Sequence, residues 1–188
     1  MRLFVAVDIP DELRAELQAL MAQLEELGIE ARFPRVAGLH LTLKFLGEVA
    51  EDLVVQLESA LRAVAERNRS FPMELRGLGC FPSPLRPRVV WVGVKAPQEL
   101  FLLQRDLEES LAREGFPREE RAFQPHLTVA RLKSGRAGEE LRRFLAERSR
   151  SFALGSYDVD AFHLMESRLH PDGAVYRKVE SFRLGGGE

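Results

Sequence analysis

The sequence predicts an α+β fold made of two intertwined lobes. Three observations carry that prediction. Short apolar or alternating runs have strand character, longer stretches place leucines every three or four residues, and both recur in one order. The chain has 188 residues, a length that suits one domain or two small lobes sharing a core.

Residues 3–9 (Leu-Phe-Val-Ala-Val-Asp-Ile) are β-branched, aromatic and apolar, and read as a buried strand. Pro10-Asp11-Glu12 then opens a helix, because proline fits a first turn and acids there complement the dipole. Leu13, Leu17, Leu20, Met21, Leu24 and Leu27 form its apolar stripe, and Gly28 stops it. Residues 39–45 alternate, with leucines on one face and His40, Thr42 and Lys44 on the other.

The same order returns downstream. Residues 89–94 form a strand, and Pro97-Gln98-Glu99 opens a helix with its stripe at Leu100, Leu103, Leu107 and Leu111. Gly115 ends that helix, and residues 125–131 alternate around His126 and Thr128. Val89 follows Leu3 by 86 residues and His126 follows His40 by 86, which predicts a repeat in one register. Helices are expected at 50–67 and 137–148, and strands at 71–79, 88–95, 151–165 and 174–184. The strand at 88–95 closes the first copy and opens the second. The expectation is a single domain over 1–188, with repeats at 3–85 and 89–184, no Gly/Ser linker and a frayed tail at 185–188.

Composition removes several classes of function. Lys+Arg number 27 and Asp+Glu 29, for a net charge of -2, which argues against a protein that coats nucleic acid electrostatically. No apolar run reaches the ~18–20 residues of a membrane span, and the short N-terminal apolar stretch meets an acid too soon for a signal peptide. The one cysteine, Cys80, excludes an internal disulfide and fits a reducing cytoplasm. Arginine far outnumbers lysine and Asn68 is the only asparagine, as in a thermophile or equally a GC-rich genome.

Two His-x-Thr strands in one repeated chain are the feature with chemical content. A single such histidine is usually a surface group or a satisfied interior one. Equivalent positions in a repeat let two strands face each other across a cleft. Two imidazoles titrating near neutrality can then serve as general acid and general base in one displacement at phosphorus. Two threonine hydroxyls can hydrogen-bond the non-bridging oxygens. That chemistry needs no metal. Cys80 stands alone, and no carboxylate cluster accompanies either motif, so no metal site is expected. ATP use is not expected either, because no Gly-rich phosphate loop with a following Lys-Ser/Thr is present.

His40-Leu41-Thr42-Leu43 and His126-Leu127-Thr128-Val129 resemble the paired motifs of the 2H phosphoesterase superfamily. Residues 2–7 (Arg-Leu-Phe-Val-Ala-Val), 44–49 (Lys-Phe-Leu-Gly-Glu-Val), 165–169 (Met-Glu-Ser-Arg-Leu) and Tyr176 resemble its RNA 2′,3′-cyclic phosphodiesterase branch, also called bacterial and archaeal 2′-5′ RNA ligase. The resemblance covers roughly residues 2–184 and holds at all four motif positions. It implies a bilobal, pseudo-twofold fold with two antiparallel sheets lining a central cleft and helices outside. It implies hydrolysis of RNA or nucleotide 2′,3′-cyclic phosphate ends, tRNA halves among them, to a 2′-phosphate without a cofactor. By motif position, His40 becomes the proton donor to the leaving 3′ oxygen and His126 the base that activates water, with Thr42 and Thr128 holding the phosphate. The reverse reaction would make a 2′-5′ bond without ATP, driven by cyclic-ester strain.

Alternatives remain open at this level. The same residues suit a phosphate- or RNA-end-binding module without turnover, or a phosphodiesterase for another cyclic nucleotide. Arg131 is either a phosphate clamp or an outward arginine, since strict alternation puts it opposite His126 unless the strand bulges. Lys44 has the parity of the site and reads as its rim, and Phe45 has core parity and reads as packing, with base stacking the other option. His163 reads as a strand residue and His170 as a hairpin tip. Residues 81–88 form a proline-stiffened loop whose Arg86 and Arg88 are either an RNA contact or solvated. A monomer is expected, because one chain supplies both motifs.

Overall fold

The protein is described by a computed structural model over residues 1–134 and 138–185. In chain order the elements are β1 (Arg2–Asp8), α1 (Asp11–Glu26), β2 (Ala31–Arg32), β3 (His40–Glu48), α2 (Val54–Arg67), β4 (Phe71–Phe81), β5 (Val89–Lys95) and α3 (Gln98–Arg113). Then follow β6 (His126–Leu132), α4 (Glu139–Arg148), β7 (Ala153–Val159), β8 (Ala161–His170) and β9 (Gly173–Arg183). The described strands form two antiparallel sheets, one ordered β3-β1-β8-β9 and the other β2-β6-β5-β4-β7. The class is α+β, as expected.

Helices cover one face of each sheet, and they are exchanged. The α1 stripe (Leu13, Leu17, Leu20, Met21, Leu24) does not pack on the sheet holding β1. It packs with α4 on the second sheet, against Leu75, Val90, Val92, Leu127 and Val129. Reciprocally, the α3 stripe (Leu100, Leu103, Leu107, Leu111) leaves β5 and packs with α2 on the first sheet, against Leu3, Val5, Val7, Leu41, Leu43 and Phe162. Full burial of each such leucine contributes about 1.5–3 kcal/mol, so each exchanged helix is held strongly to the sheet it did not leave.

Several expectations change in detail. The stretch at 151–165 is two strands, because the chain leaves the second sheet at Val159 and enters the first at Ala161. The strand at 88–95, β5, lies in the second sheet between β4 of the first copy and β6 of the second. The repeat also slips in its first strand: Asp8 stands opposite His40 but Gly93 opposite His126, so these partners are 85 residues apart rather than 86. At the tail, the Gly185 N–H donates to the Ala65 carbonyl, and the rest of the expected fraying lies outside the described residues. Among the described residues no helix is long and apolar enough to cross a membrane.

Candidate active site

Each motif strand shows core leucine or valine to its helices and polar groups to the opposite, helix-free face. Leu41 and Leu43 are buried in the first core and Leu127 and Val129 in the second. His40, Thr42, His126 and Thr128 are only partly buried on the other side. The segments entering the motifs cross over: Leu39 is buried in the second core, and Phe123 packs against the first. β3 and β6 therefore run close together where the two cores meet. This junction carries both His-x-Thr pairs.

The two imidazoles are held alike. His40 Nδ1 lies 2.6 Å from the Gly38 carbonyl oxygen, and His126 Nδ1 lies 2.7 Å from that of Gln124, each two residues upstream. A carbonyl only accepts, so Nδ1 carries the hydrogen in both rings, and Nε2 is the nitrogen free to give or take a proton. Among the described residues neither Nε2 makes a hydrogen bond. Phe4 packs at 4.7 Å and Tyr176 edge-on at 4.8 Å around the His40 ring, while Phe81 meets His126 edge-on at 5.1 Å. Arg14 donates to the carbonyls of Ile9 and Val36, tying the end of β1 to the turn that supplies Gly38.

A bulge of one residue follows each motif and moves what lies beyond it. Val5 pairs with Lys44 and Ala6 with Thr42, leaving Leu43 unmatched. Val90 pairs with Ala130 and Trp91 with Thr128, leaving Val129 unmatched. Each bulge lies three residues after its histidine and reverses the alternation. Arg131 consequently shares the face of His126 and Thr128 and is exposed there. Lys44 is not at the rim. It is 4% exposed on the helix side, donating to Glu108 Oε2 and to the Pro117 carbonyl at 2.9 Å each. Phe45 is not core packing; it stands 71% exposed on the face of His40 and Thr42.

Cross-strand neighbours break the likeness of the two halves. Beside His126 stands Gly93, where a Cβ would fall 2.4 Å from the Arg76 carbonyl oxygen, so no side chain fits. Beside His40 stands Asp8, a site residue that the opening apolar run concealed. Asp8 Oδ2 accepts from His163 Nε2 at 3.1 Å and Lys178 Nζ at 2.9 Å, and His163 Nδ1 meets Ser181 Oγ at 2.9 Å. The His163 bond foremost, with Lys178, holds the Asp8 carboxyl far below the usual carboxylate range. Burial pushes the His40 imidazole below its ordinary value. The Gly38 carbonyl and the Asp8 carboxylate push it up, and Arg14 pushes it down. His163, expected to be an ordinary strand residue, is thus a buried member of β8 that holds this carboxylate. His170 ends β8 at the hairpin turn, as read. Among the described residues no three His, Cys, Asp or Glu side chains group as metal ligands.

Comparison with known proteins agrees with the fold. The model of the 2′-5′ RNA ligase superfamily matches residues 9–171. The chain is 36% identical over 183 residues to the RNA 2′,3′-cyclic phosphodiesterase of Methanothermobacter thermautotrophicus, covering 97% of this chain and 98% of that one. It is 38% identical over 185 residues to the protein of the same name from Archaeoglobus fulgidus, covering 97% and 99%. Among solved structures, TT0787 of Thermus thermophilus superposes with a TM-score of 0.82 at 30% identity, covering 100% of both chains. E. coli LigT complexed with 3′-AMP superposes with a TM-score of 0.76 at 31% identity, covering 97% of both.

Proposed function

Because the chain belongs to the 2′-5′ RNA ligase superfamily, we propose that it hydrolyses RNA 2′,3′-cyclic phosphate ends to 2′-phosphates by paired-histidine acid–base catalysis. The observation that supports this most is the matched anchoring of the two imidazoles through Nδ1. It leaves two Nε2 atoms on strands that approach each other, each beside a threonine hydroxyl. Water attacks phosphorus as its proton passes to His126 Nε2. The P–O3′ bond breaks, and His40 Nε2 gives its proton to the departing O3′. Thr42 and Thr128 donate to the non-bridging oxygens, and Arg131 neutralises charge developing on them. The balance closes within one turnover, and solvent resets the two rings.

Asymmetry between the halves supports the division of roles. The donor must be charged before reaction; burial works against a charged His40, and the fixed carboxylate of Asp8 offsets part of that cost. At the equivalent place beside His126 stands Gly93, which carries no charge. The names of the relatives favour an RNA end as substrate. Run backwards, the same two proton transfers join a 5′-hydroxyl to the cyclic ester, so 2′-5′ ligation without ATP belongs to the same proposal. One chain supplies both motifs, which suffices for a monomer, and tRNA halves with cyclic ends are fitting substrates.

A direct test is an RNA bearing a 2′,3′-cyclic phosphate, incubated with chelator and without ATP. The expected product is a 2′-phosphate. A 3′-phosphate would reverse the leaving group, and a requirement for added divalent metal would exclude the two-histidine route.

Asp8→Asn tests the polarity of the pair. His40 acts in its charged form, so activity falls as pH rises through its pKa. Removing the carboxylate lowers that pKa, and the alkaline limb of kcat/KM should move to lower pH while the acid limb stays in place. A uniform fall in activity with both limbs unmoved would make Asp8 merely structural.

A further inference from the structure

Arg32 was not singled out by any motif, yet the fold places it beside the site. β2 pairs with β6 so that Ala31 meets Leu132 and Arg32 meets Arg131. Ala31 packs against the second core and Leu132 is buried in it. Arg32 and Arg131 therefore project from the opposite face, the one bearing His126 and Thr128, and both are exposed.

Like charges directly opposite on adjacent strands repel. Nothing nearby offsets this pair, for neither guanidinium joins an ion pair among the described residues. Glu30 and Lys133, next out along the two strands, carry opposite charges and leave the excess of the pair uncancelled. The positive region continues sideways, since the Arg88 carbonyl accepts from the Leu132 N–H and brings the loop of Arg86 and Arg88 against the end of β6. Such a pair is what an anion would relieve. The five donors of Arg131 can serve the reacting phosphate on its Thr128 side and a second anion on its Arg32 side.

We propose that Arg32, with Arg131, forms a second phosphate subsite that holds the phosphodiester adjacent to the cyclic end of an RNA. This rests on the proposed cyclic-phosphate hydrolysis and assigns the direction in which the chain leaves the site: outward from His126 and Thr128, over β6 and β2. A cyclic mononucleotide has no phosphate to place there, so the subsite gives a preference for oligonucleotides.

The test uses the full chain and three probes: a 2′,3′-cyclic mononucleotide, a short RNA with a cyclic end, and the same RNA with a neutral methylphosphonate at the adjacent linkage. Arg32→Gln should lower the ratio of kcat/KM for RNA over mononucleotide about tenfold, the scale of one lost charged hydrogen bond. Arg32→Lys, which keeps the charge, should recover part of the ratio. Methylphosphonate should slow the wild-type protein by a similar factor and have little further effect on Arg32→Gln. The variant should also show a shallower salt dependence for RNA. An unchanged ratio, or methylphosphonate and Arg32→Gln losses that simply multiply, would overturn the subsite. Hydrolysis of none of the probes by the wild-type protein would instead overturn the activity on which it rests.

Discussion

Alanine at His40 or at His126 should lower turnover about 10²- to 10⁴-fold, the range supplied by a positioned acid or base. The double variant should be little worse than either single one, because one displacement needs both proton transfers and losing one already forfeits the route. Single-turnover hydrolysis of a cyclic-ended RNA measures this, with circular dichroism and melting to confirm the fold. His40 needs a further control, since its ring packs between Phe4 and Tyr176 and alanine leaves a gap there. His40→Gln keeps most of the volume and should be equally slow. A residual rate near a tenth of wild type in any of these variants would remove that histidine from the acid–base pair.

Lys44→Ala should be the most destabilising single change near the site. Its ammonium is buried against Glu108 and the Pro117 carbonyl, and Glu108 Oε2 also accepts from the Glu119 N–H. Breaking a buried ion pair from one side costs about 3–5 kcal/mol, because the remaining charge is stranded. For a chain of this size that corresponds to a fall in Tm of about 10 °C. Replacing both partners, Lys44→Met with Glu108→Leu, should recover most of the loss. Equal melting of wild type and Lys44→Ala would show that the pair carries no stability. The bridge also spans the two halves of the site, from β3 with its His40 to the segment leading into β6 and His126. Activity should therefore fall with stability in the single variant.

The elements and both motifs were legible because each rests on a local pattern. Leucine spacing marks the helices, alternation marks β3 and β6, and proline with acids marks the helix starts. What alternation could not carry is a change of register, since a bulge is defined only against the partner strand. Lys44, Phe45 and Arg131 were consequently placed on the wrong faces by strict parity. The repeat did hold a signal: Phe45 and Arg131 occupy the same slot of the two copies, and a buried core slot does not accept phenylalanine in one and arginine in the other. Arg32 was hidden because two residues carry no periodicity, and Asp8 because it ends an apolar run. The break between β7 and β8 was missed for a similar reason, for it marks a passage between sheets that neither strand announces.

The exchange of α1 and α3 also bears on how the molecule comes into being. β1 and β3 receive part of their cover from a helix that lies beyond β5 in the chain, and β5 and β6 receive part of theirs from one that precedes them. Neither copy of the repeat can close a helical layer over its own sheet. Contacts between distant halves of the chain must form before either core excludes water, a topology that slows folding relative to a chain of local contacts. The junction of β3 and β6 is thus not a groove left between two finished bodies. Both cores border it, so the alignment of His40 with His126 depends on the packing of both.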